Sequence, residues 1–364
     1  MCITEERKLK MPNDKNKNIT PEYIKTEAID DFEEKILASI ESSKKAKFQE
    51  YREKYQRSLN YQTSYSPLEF PLTLHIELIN KCNLGCQMCY VTNHSGTKHT
   101  LDQSLISRLS KEARDNGLAA VIVGLGSEAL LFKDVPEVFR QFEAAGVLDK
   151  FLYTNGTFLN EKMIEKILDS NITRVHVSID AASADTFQKI RKKNLYQTVV
   201  NNINKLIELR DKRNLKLPLV RVSFCVQKDN KHEVEQFKTQ WTNVADRVDF
   251  QLLLEAEKHV DELASTGKIV SLEEKVANYE KTPYCALPFN SLSVWADGTI
   301  TPCCAFQGKN LALGNIKFMT LKEAWDGQKL RDLRGQFLSG DLNNVCRYCI
   351  AARDSENFED ISQS

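Results

Sequence analysis

The sequence predicts an α/β fold built on parallel strands, and two observations carry that reading. Between residues 72 and about 254, short apolar runs of strand length alternate with longer stretches whose apolar residues recur at helical spacing. In one such run His176, Ser178 and Asp180 alternate with Val175, Val177 and Ile179, the two-residue period of a strand with one polar face. Six β/α units of this kind argue for parallel neighbours joined by right-handed crossovers.

Each element has its own local reason. Residues 1–70 read as a helical, partly disordered N-terminal extension. From Asp30 to Arg57 the apolar residues Phe32, Ile36, Ile40, Phe48, Tyr51 and Tyr55 fall at helical spacing, predicting one or two amphipathic helices. Ser66-Pro67 and Pro71 then punctuate the entry to the first strand. Residues 71–254 hold the six units. Strands are expected at Thr73–Ile79, Ala119–Gly124, Phe151–Thr154, Arg174–Ile179, Leu219–Val226 and Val248–Leu253. Helices are expected between them, among others at Leu101–Asn116, Val135–Ala145, Glu161–Ser170 and Thr198–Arg213. A helical linker, 255–282, leads to a cysteine-rich unit at 283–352, and an acidic segment, 353–364, follows.

Composition narrows the function classes. With 41% hydrophobic residues among 364, the chain has ample material for a core. Fifty basic residues balance fifty acidic ones, so neither a nucleic acid nor another polyanion is implied as a partner. The start MCITEERKLK lacks the apolar stretch of a signal peptide, and no run of eighteen apolar residues predicts a membrane span. Ten cysteines in such a chain read as metal ligands and reactive thiols in a reducing, cytoplasmic setting.

The chemistry concentrates in Cys82-Asn-Leu-Gly-Cys86-Gln-Met-Cys89-Tyr90, directly after the first strand. Three thiolates can hold three irons of a four-iron cluster and leave the fourth iron open to a small molecule. Zinc sites use thiolates at similar spacings, so a non-catalytic zinc scaffold is the competing reading.

The C-x3-C-x2-C spacing followed by an aromatic residue resembles the signature of the radical SAM superfamily. That resemblance implies a partial six-stranded (β/α)6 barrel, an open-iron 4Fe–4S cluster on Cys82, Cys86 and Cys89, and S-adenosylmethionine (SAM) as cosubstrate. It also implies a low-potential electron donor such as a flavodoxin, a ferredoxin or a reductase. Val123-Gly-Leu-Gly126-Ser127-Glu128 resembles the superfamily's Gly-Gly-Glu-Pro element, with Ser127 and Ala129 replacing the second Gly and the Pro. Tyr153-Thr-Asn155-Gly-Thr157, His176-Val-Ser178-Ile-Asp180 and Lys189-Ile-Arg191 resemble further elements of these enzymes. The SAM-binding set implied is therefore Tyr90, Gly126, Ser127, Glu128, Asn155, Ser178, Asp180 and Arg191.

Downstream, Cys285, Gly298 and Cys303 give C-x12-G-x4-C, and Cys346-Arg-Tyr-Cys349 follows. The Asp297-Gly298 turn joins two short strands and folds Cys285 and Cys303 toward one point. This region resembles the SPASM/twitch extension of radical SAM enzymes. No cysteine follows Cys349, so the count supports one auxiliary 4Fe–4S cluster, on Cys285, Cys303, Cys346 and Cys349. The spacing favours Cys303 over Cys304, and a four-cysteine zinc ribbon is the alternative.

Three cysteines remain: Cys2, Cys225 and Cys304. Cys225 lies in a strand where Arg221, Ser223, Cys225 and Gln227 alternate with Val222, Phe224 and Val226. If the apolar set packs on helices, the thiol faces the lumen, where it can give a hydrogen atom to a carbon radical; otherwise it is an inert buried cysteine. Radical SAM epimerases resemble this arrangement. Epimerisation of a peptide residue or a sugar-like carbon, with Cys225 as donor, is thus the expected reaction. Dehydrogenation or peptide cross-linking, with the auxiliary cluster as electron acceptor, is the rival.

Overall fold

The computed structural model describes residues 32–89, 97–252 and 284–354. Six strands, β1 (Thr73–Ile76), β2 (Ala120–Val123), β3 (Asp149–Thr154), β4 (Arg174–Ser178), β5 (Leu219–Val226) and β6 (Arg247–Leu252), lie side by side in chain order, and every neighbouring pair is parallel. Helices cover their connections: Gln103–Asn116, Val135–Ala144, Glu161–Leu168, the pair Ala184–Arg191 and Tyr196–Lys212, and Val234–Trp241. One face of the sheet supplies the core, where Leu74, Ile76, Val121, Val123, Leu152, Val175, Val177, Val222 and Phe224 pack with Ile106, Phe139, Ile164, Val199 and Phe237 from the helices. The other face carries His176, Ser178, Arg221, Ser223 and Cys225, as the alternation predicts.

The N-terminal helices Phe32–Ser39 and Ser42–Leu59 sit at the end of the sheet where the strands begin. Ile36, Phe48 and Tyr51 form a second apolar cluster with Leu72, Ala119, Ala120, Leu148 and Leu219, residues at or just before the starts of β1, β2, β3 and β5. Lys44 Nζ adds an ion pair to Glu143 Oε1 at 2.6 Å, on the helix that precedes β3. The mouth of the sheet that bears the cysteine loop lies at the opposite end.

The cysteine-rich unit continues the same sheet. β7 (Ser291–Val294) pairs parallel with β1, Thr73 against Ser291, and β8 (Thr299–Thr301) and β9 (Gly314–Asn315) extend it antiparallel, giving nine strands in the order β6-β5-β4-β3-β2-β1-β7-β8-β9. The turn between β7 and β8 needs glycine. Gly298 has φ +89°, and a Cβ there would meet Asn315 Oδ1 at 2.7 Å. Arg108, on the helix after β1, donates to the carbonyls of Ile316 and Met319 at 2.8 and 2.9 Å and fastens the unit from the side. Among the described residues no helix is long and apolar enough to cross a membrane.

Candidate active site

The loop Cys82–Cys89 leaves β1 and is held by the C-terminal end of helix Ala184–Arg191. The N–H groups of Gly85 and Gln87 donate to the carbonyls of Arg191 (3.3 Å) and Ile190 (3.1 Å), acceptors that a helix end leaves available. Gln87 Nε2 donates to Asp229 Oδ2 at 2.8 Å, tying the loop to the segment after β5. The sulfurs receive donors as well. Cys82 Sγ accepts from Leu84 N–H at 3.5 Å and from Asn155 Nδ2 at 3.7 Å, and Cys86 Sγ from Arg191 Nη1 at 3.6 Å.

Burial pushes the Cys82 thiol up to about 11, and the nearby Glu128, Cys86 and Cys89 push the same way. Thiolates gathered like this repel one another until a cation joins them. No three His, Cys, Asp or Glu side chains among the described residues converge as the ligands of a single ion do. A four-iron cluster does not ask for that convergence, because each thiolate meets a different iron. The donor set and its N–H···S contacts fit such a cluster.

Around this loop stand most of the residues the resemblance picks out. Tyr90 lies outside the described residues. Gly126 and Ser127 follow β2, and the Ser127 hydroxyl donates to the carbonyl of Ile79. Glu128 is 1% exposed, and its carboxylate is occupied by the protein: Oε1 accepts from Thr154 Oγ1 (2.7 Å) and Leu130 N–H (3.0 Å), Oε2 from Asn155 N–H (2.7 Å). It joins the β2 loop to the β3 loop. Asn155 also donates to Asn83 Oδ1 at 2.9 Å, and a Cβ at Gly156 (φ +77°) would meet Val177 at 2.8 Å, so the β3 loop lies tight on β4.

Ser178 is half-buried at the end of β4, 3.5 Å from the Ser223 hydroxyl. Asp180 and Arg191 form a buried ion pair at 2.6 Å. The second Asp180 oxygen accepts the Cys225 N–H at 2.8 Å.

The second cysteine set also assembles. Burial raises the Cys303 thiol well above its ordinary value, with Cys304, Cys285 and Cys349 close enough to add to the shift. Burial likewise pushes Cys346 up to about 11, with Cys285 contributing. Thr301 Oγ1 fixes the carbonyl of Cys303 at 2.8 Å, and Trp295 Nε1 donates to that hydroxyl at 2.9 Å. Gly308 lies directly on the Cys303 sulfur, where a Cβ would come within 2.5 Å of Sγ. Only glycine allows the backbone to approach the Cys303 sulfur this closely.

Cys225 is 8% exposed. Val220, Val222, Phe224 and Val226 from its strand belong to the apolar core, so the thiol takes the other face, with Ser223. Asn230 Nδ2 braces it from behind, donating to the carbonyls of Asp180 (2.9 Å) and Cys225 (2.8 Å).

Asn83, Gln87, Asn230 and Gly308 take part in these contacts without having stood out in the sequence. For the two nearest the cysteines a signal existed: Asn83 and Gln87 lie inside the cysteine motif. Asn230 and Gly308 sit in loops with no distinguishing pattern.

Residues 76–238 match the family model of the radical SAM superfamily, and residues 285–350 that of SPASM, an iron-sulfur cluster-binding domain. The chain is a member of the radical SAM superfamily with a C-terminal SPASM domain. Its cofactors are accordingly SAM, a 4Fe–4S cluster and an auxiliary iron-sulfur cluster.

Among curated proteins it resembles the probable GTP 3′,8-cyclases of Saccharolobus solfataricus, 30% identical over 171 residues (47% of this chain, 52% of that protein), and of Methanocaldococcus jannaschii, 33% over 138 residues (38% and 46%). The chain spans about half the length of these relatives. Among solved structures, Streptococcus suis SuiB bound to precursor peptide SuiA superposes with a TM-score of 0.57 at 16% identity, covering 79% of this chain and 71% of that one. The enzyme anSMEcpe with AdoMet and Cp18Cys peptide gives 0.52 at 16% identity, covering 78% and 88%. These two share the fold.

Proposed function

We propose that this protein epimerises a C–H centre in a peptide, or in a sugar-like molecule, with Cys225 as the hydrogen donor. Cys82, Cys86 and Cys89 hold the SAM-domain cluster; Cys285, Cys303, Cys346 and Cys349 hold the auxiliary one. When bound, the first cluster supplies one-electron cleavage of SAM to methionine and a 5′-deoxyadenosyl radical. Ser178, from the end of β4, and Arg191, from the end of helix Ala184–Arg191, would face SAM, and the auxiliary unit at 283–352 continues the barrel at 71–254 through the pairing of β7 with β1.

One observation carries the reading: a buried cysteine on the lumen face, whose backbone N–H is held by Asp180, itself paired with the Arg191 that donates to Cys86 in the cluster loop. After a hydrogen atom leaves one face of the substrate carbon, Cys225 S–H delivers another to the opposite face, and sulfur is left one electron and one proton short of the thiol. A flavodoxin- or ferredoxin-type donor supplies that electron and water the proton, so each inversion consumes one SAM, two electrons and one proton. The peptide-bound neighbours SuiB and anSMEcpe support a peptide substrate.

The second cysteine set supports a rival, dehydrogenation or cross-linking, in which an auxiliary cluster held by Cys285, Cys303, Cys346 and Cys349 would take up the substrate radical's electron while a proton leaves to water. Turnover in heavy water separates the two. An epimerase places one deuterium at the inverted carbon, because a thiol hydrogen exchanges with solvent, and Cys225→Ala forms 5′-deoxyadenosine without inverted product. A product two mass units lighter without solvent deuterium, or wild-type inversion by Cys225→Ala, would sink the proposal.

A further inference from the structure

The β4–β5 register ends at Ser178 and Ser223, two residues short of Cys225. Beyond that point Asp180 serves β5 in place of a strand. Its backbone turns left-handed, φ +63°, a conformation uncommon outside glycine and tolerated by Asp. That turn aims the carboxylate back into the lumen, where it is 3% exposed. One oxygen accepts the Cys225 N–H at 2.8 Å, and the other pairs with Arg191 Nη2 at 2.6 Å. The same guanidinium donates to Cys86 Sγ at 3.6 Å. Asn230 closes the ring from the far side, bridging the carbonyls of Asp180 and Cys225.

From these contacts we infer that Asp180 is a positioning residue: it sets the Cys225 thiol in register with the cysteine loop where the radical arises. This rests on Cys225 being the hydrogen donor. The chemistry needs such a part. Abstraction and delivery occur on opposite faces of one carbon, so the thiol must be held at a fixed offset from the site of SAM cleavage, and a displacement of about 1 Å can cost a reacting pair roughly a hundredfold. A carboxylate with one oxygen on each partner couples the two positions through a single rigid group, and burial keeps water from competing for it.

The test uses the reconstituted holoenzyme with Asp180→Asn and Asn230→Ala, and three readouts. The first is inverted product per 5′-deoxyadenosine formed. The second is deuterium exchange at the Cys225 amide by mass spectrometry. The third is the midpoint potential of the SAM-domain cluster, followed by electron paramagnetic resonance. Asp180→Asn keeps an acceptor for Cys225 but loses the charge that holds Arg191. Inverted product per 5′-deoxyadenosine should fall roughly tenfold or more, exchange at Cys225 should accelerate, and the potential should shift as Arg191 loosens from Cys86.

Asn230→Ala leaves the Asp180–Arg191 pair intact. It should change the product ratio and the exchange while the potential stays. A general loss of stability would lower iron content without this split. Wild-type product ratio and wild-type exchange in both variants would overturn the assignment. If instead Cys225→Ala still inverts its substrate, the donor reading fails, and the exchange and potential data still report whether Asp180 couples the two sites.

Discussion

Glu77, the residue after β1, accepts a hydrogen bond from the backbone N–H of Ala296 at 3.2 Å, so a buried carboxylate joins the barrel to the turn that leads to Cys303. Burial pushes its carboxyl up to about 7; Asp297 adds to the rise, while the Ala296 N–H and Lys309 oppose it. A raised carboxyl is protonated in the folded protein at pH values where the unfolded chain has ionised. Folding stability should therefore fall as pH climbs from about 4.5 to about 7 and level off above, by roughly 3 kcal/mol at most. Glu77→Gln keeps an oxygen for Ala296 and removes this penalty. Urea midpoints of the variant should exceed the parent's at pH 8 and match them at pH 4; equal midpoints at pH 8 would contradict the burial argument.

Gly308→Ala should separate the two clusters. The added methyl would press on the Cys303 sulfur at 2.5 Å, far inside van der Waals contact, and the Cys303 thiol or the backbone around it must shift to admit it. Iron analysis should drop from about eight atoms per chain toward about four, while SAM cleavage persists. Full iron content would mean that this approach is not needed for cluster binding.

The converse comes from Cys82, Cys86 and Cys89. Replacing all three with alanine should also leave about four irons, but here 5′-deoxyadenosine formation should disappear. Continued cleavage by the triple variant would remove the cysteine loop from the chemistry.

Phe48 tests the N-terminal helices. It is 1% exposed and packs beneath the strand starts with Ile36 and Tyr51. Phe48→Ala should cost about 3–5 kcal/mol, read as a lower urea midpoint, with both clusters still loading. An unchanged midpoint would reduce these helices to an appendage.

Local pattern was enough for much of this architecture. Strand β5 spans Leu219–Val226 as its alternation predicts, and Cys225 takes the non-core face for the same reason. Where prediction overshot, another partner had intervened. β1 ends at Ile76 rather than Ile79, because Ile79 bridges antiparallel to Thr100 and bends the chain away. The cysteine-rich unit reads as separate in sequence, yet β7 pairs with β1 across more than two hundred residues, and a local pattern holds no record of such a pairing. In the site, the cysteines and the polar strand face were visible from spacing. The roles of Glu128 and Asp180 as internal acceptors were not, since a carboxylate looks the same in sequence whether it meets a ligand or a backbone N–H.

The β1–β7 ladder also has a mechanical meaning. Both cysteine sets hang from one continuous sheet, whose strands lie about 4.8 Å apart, so the SPASM unit cannot swing out like a hinged door without tearing four paired residues. On the other flank, among the described residues, β6 is the edge strand and Cys225 lies one strand inside it.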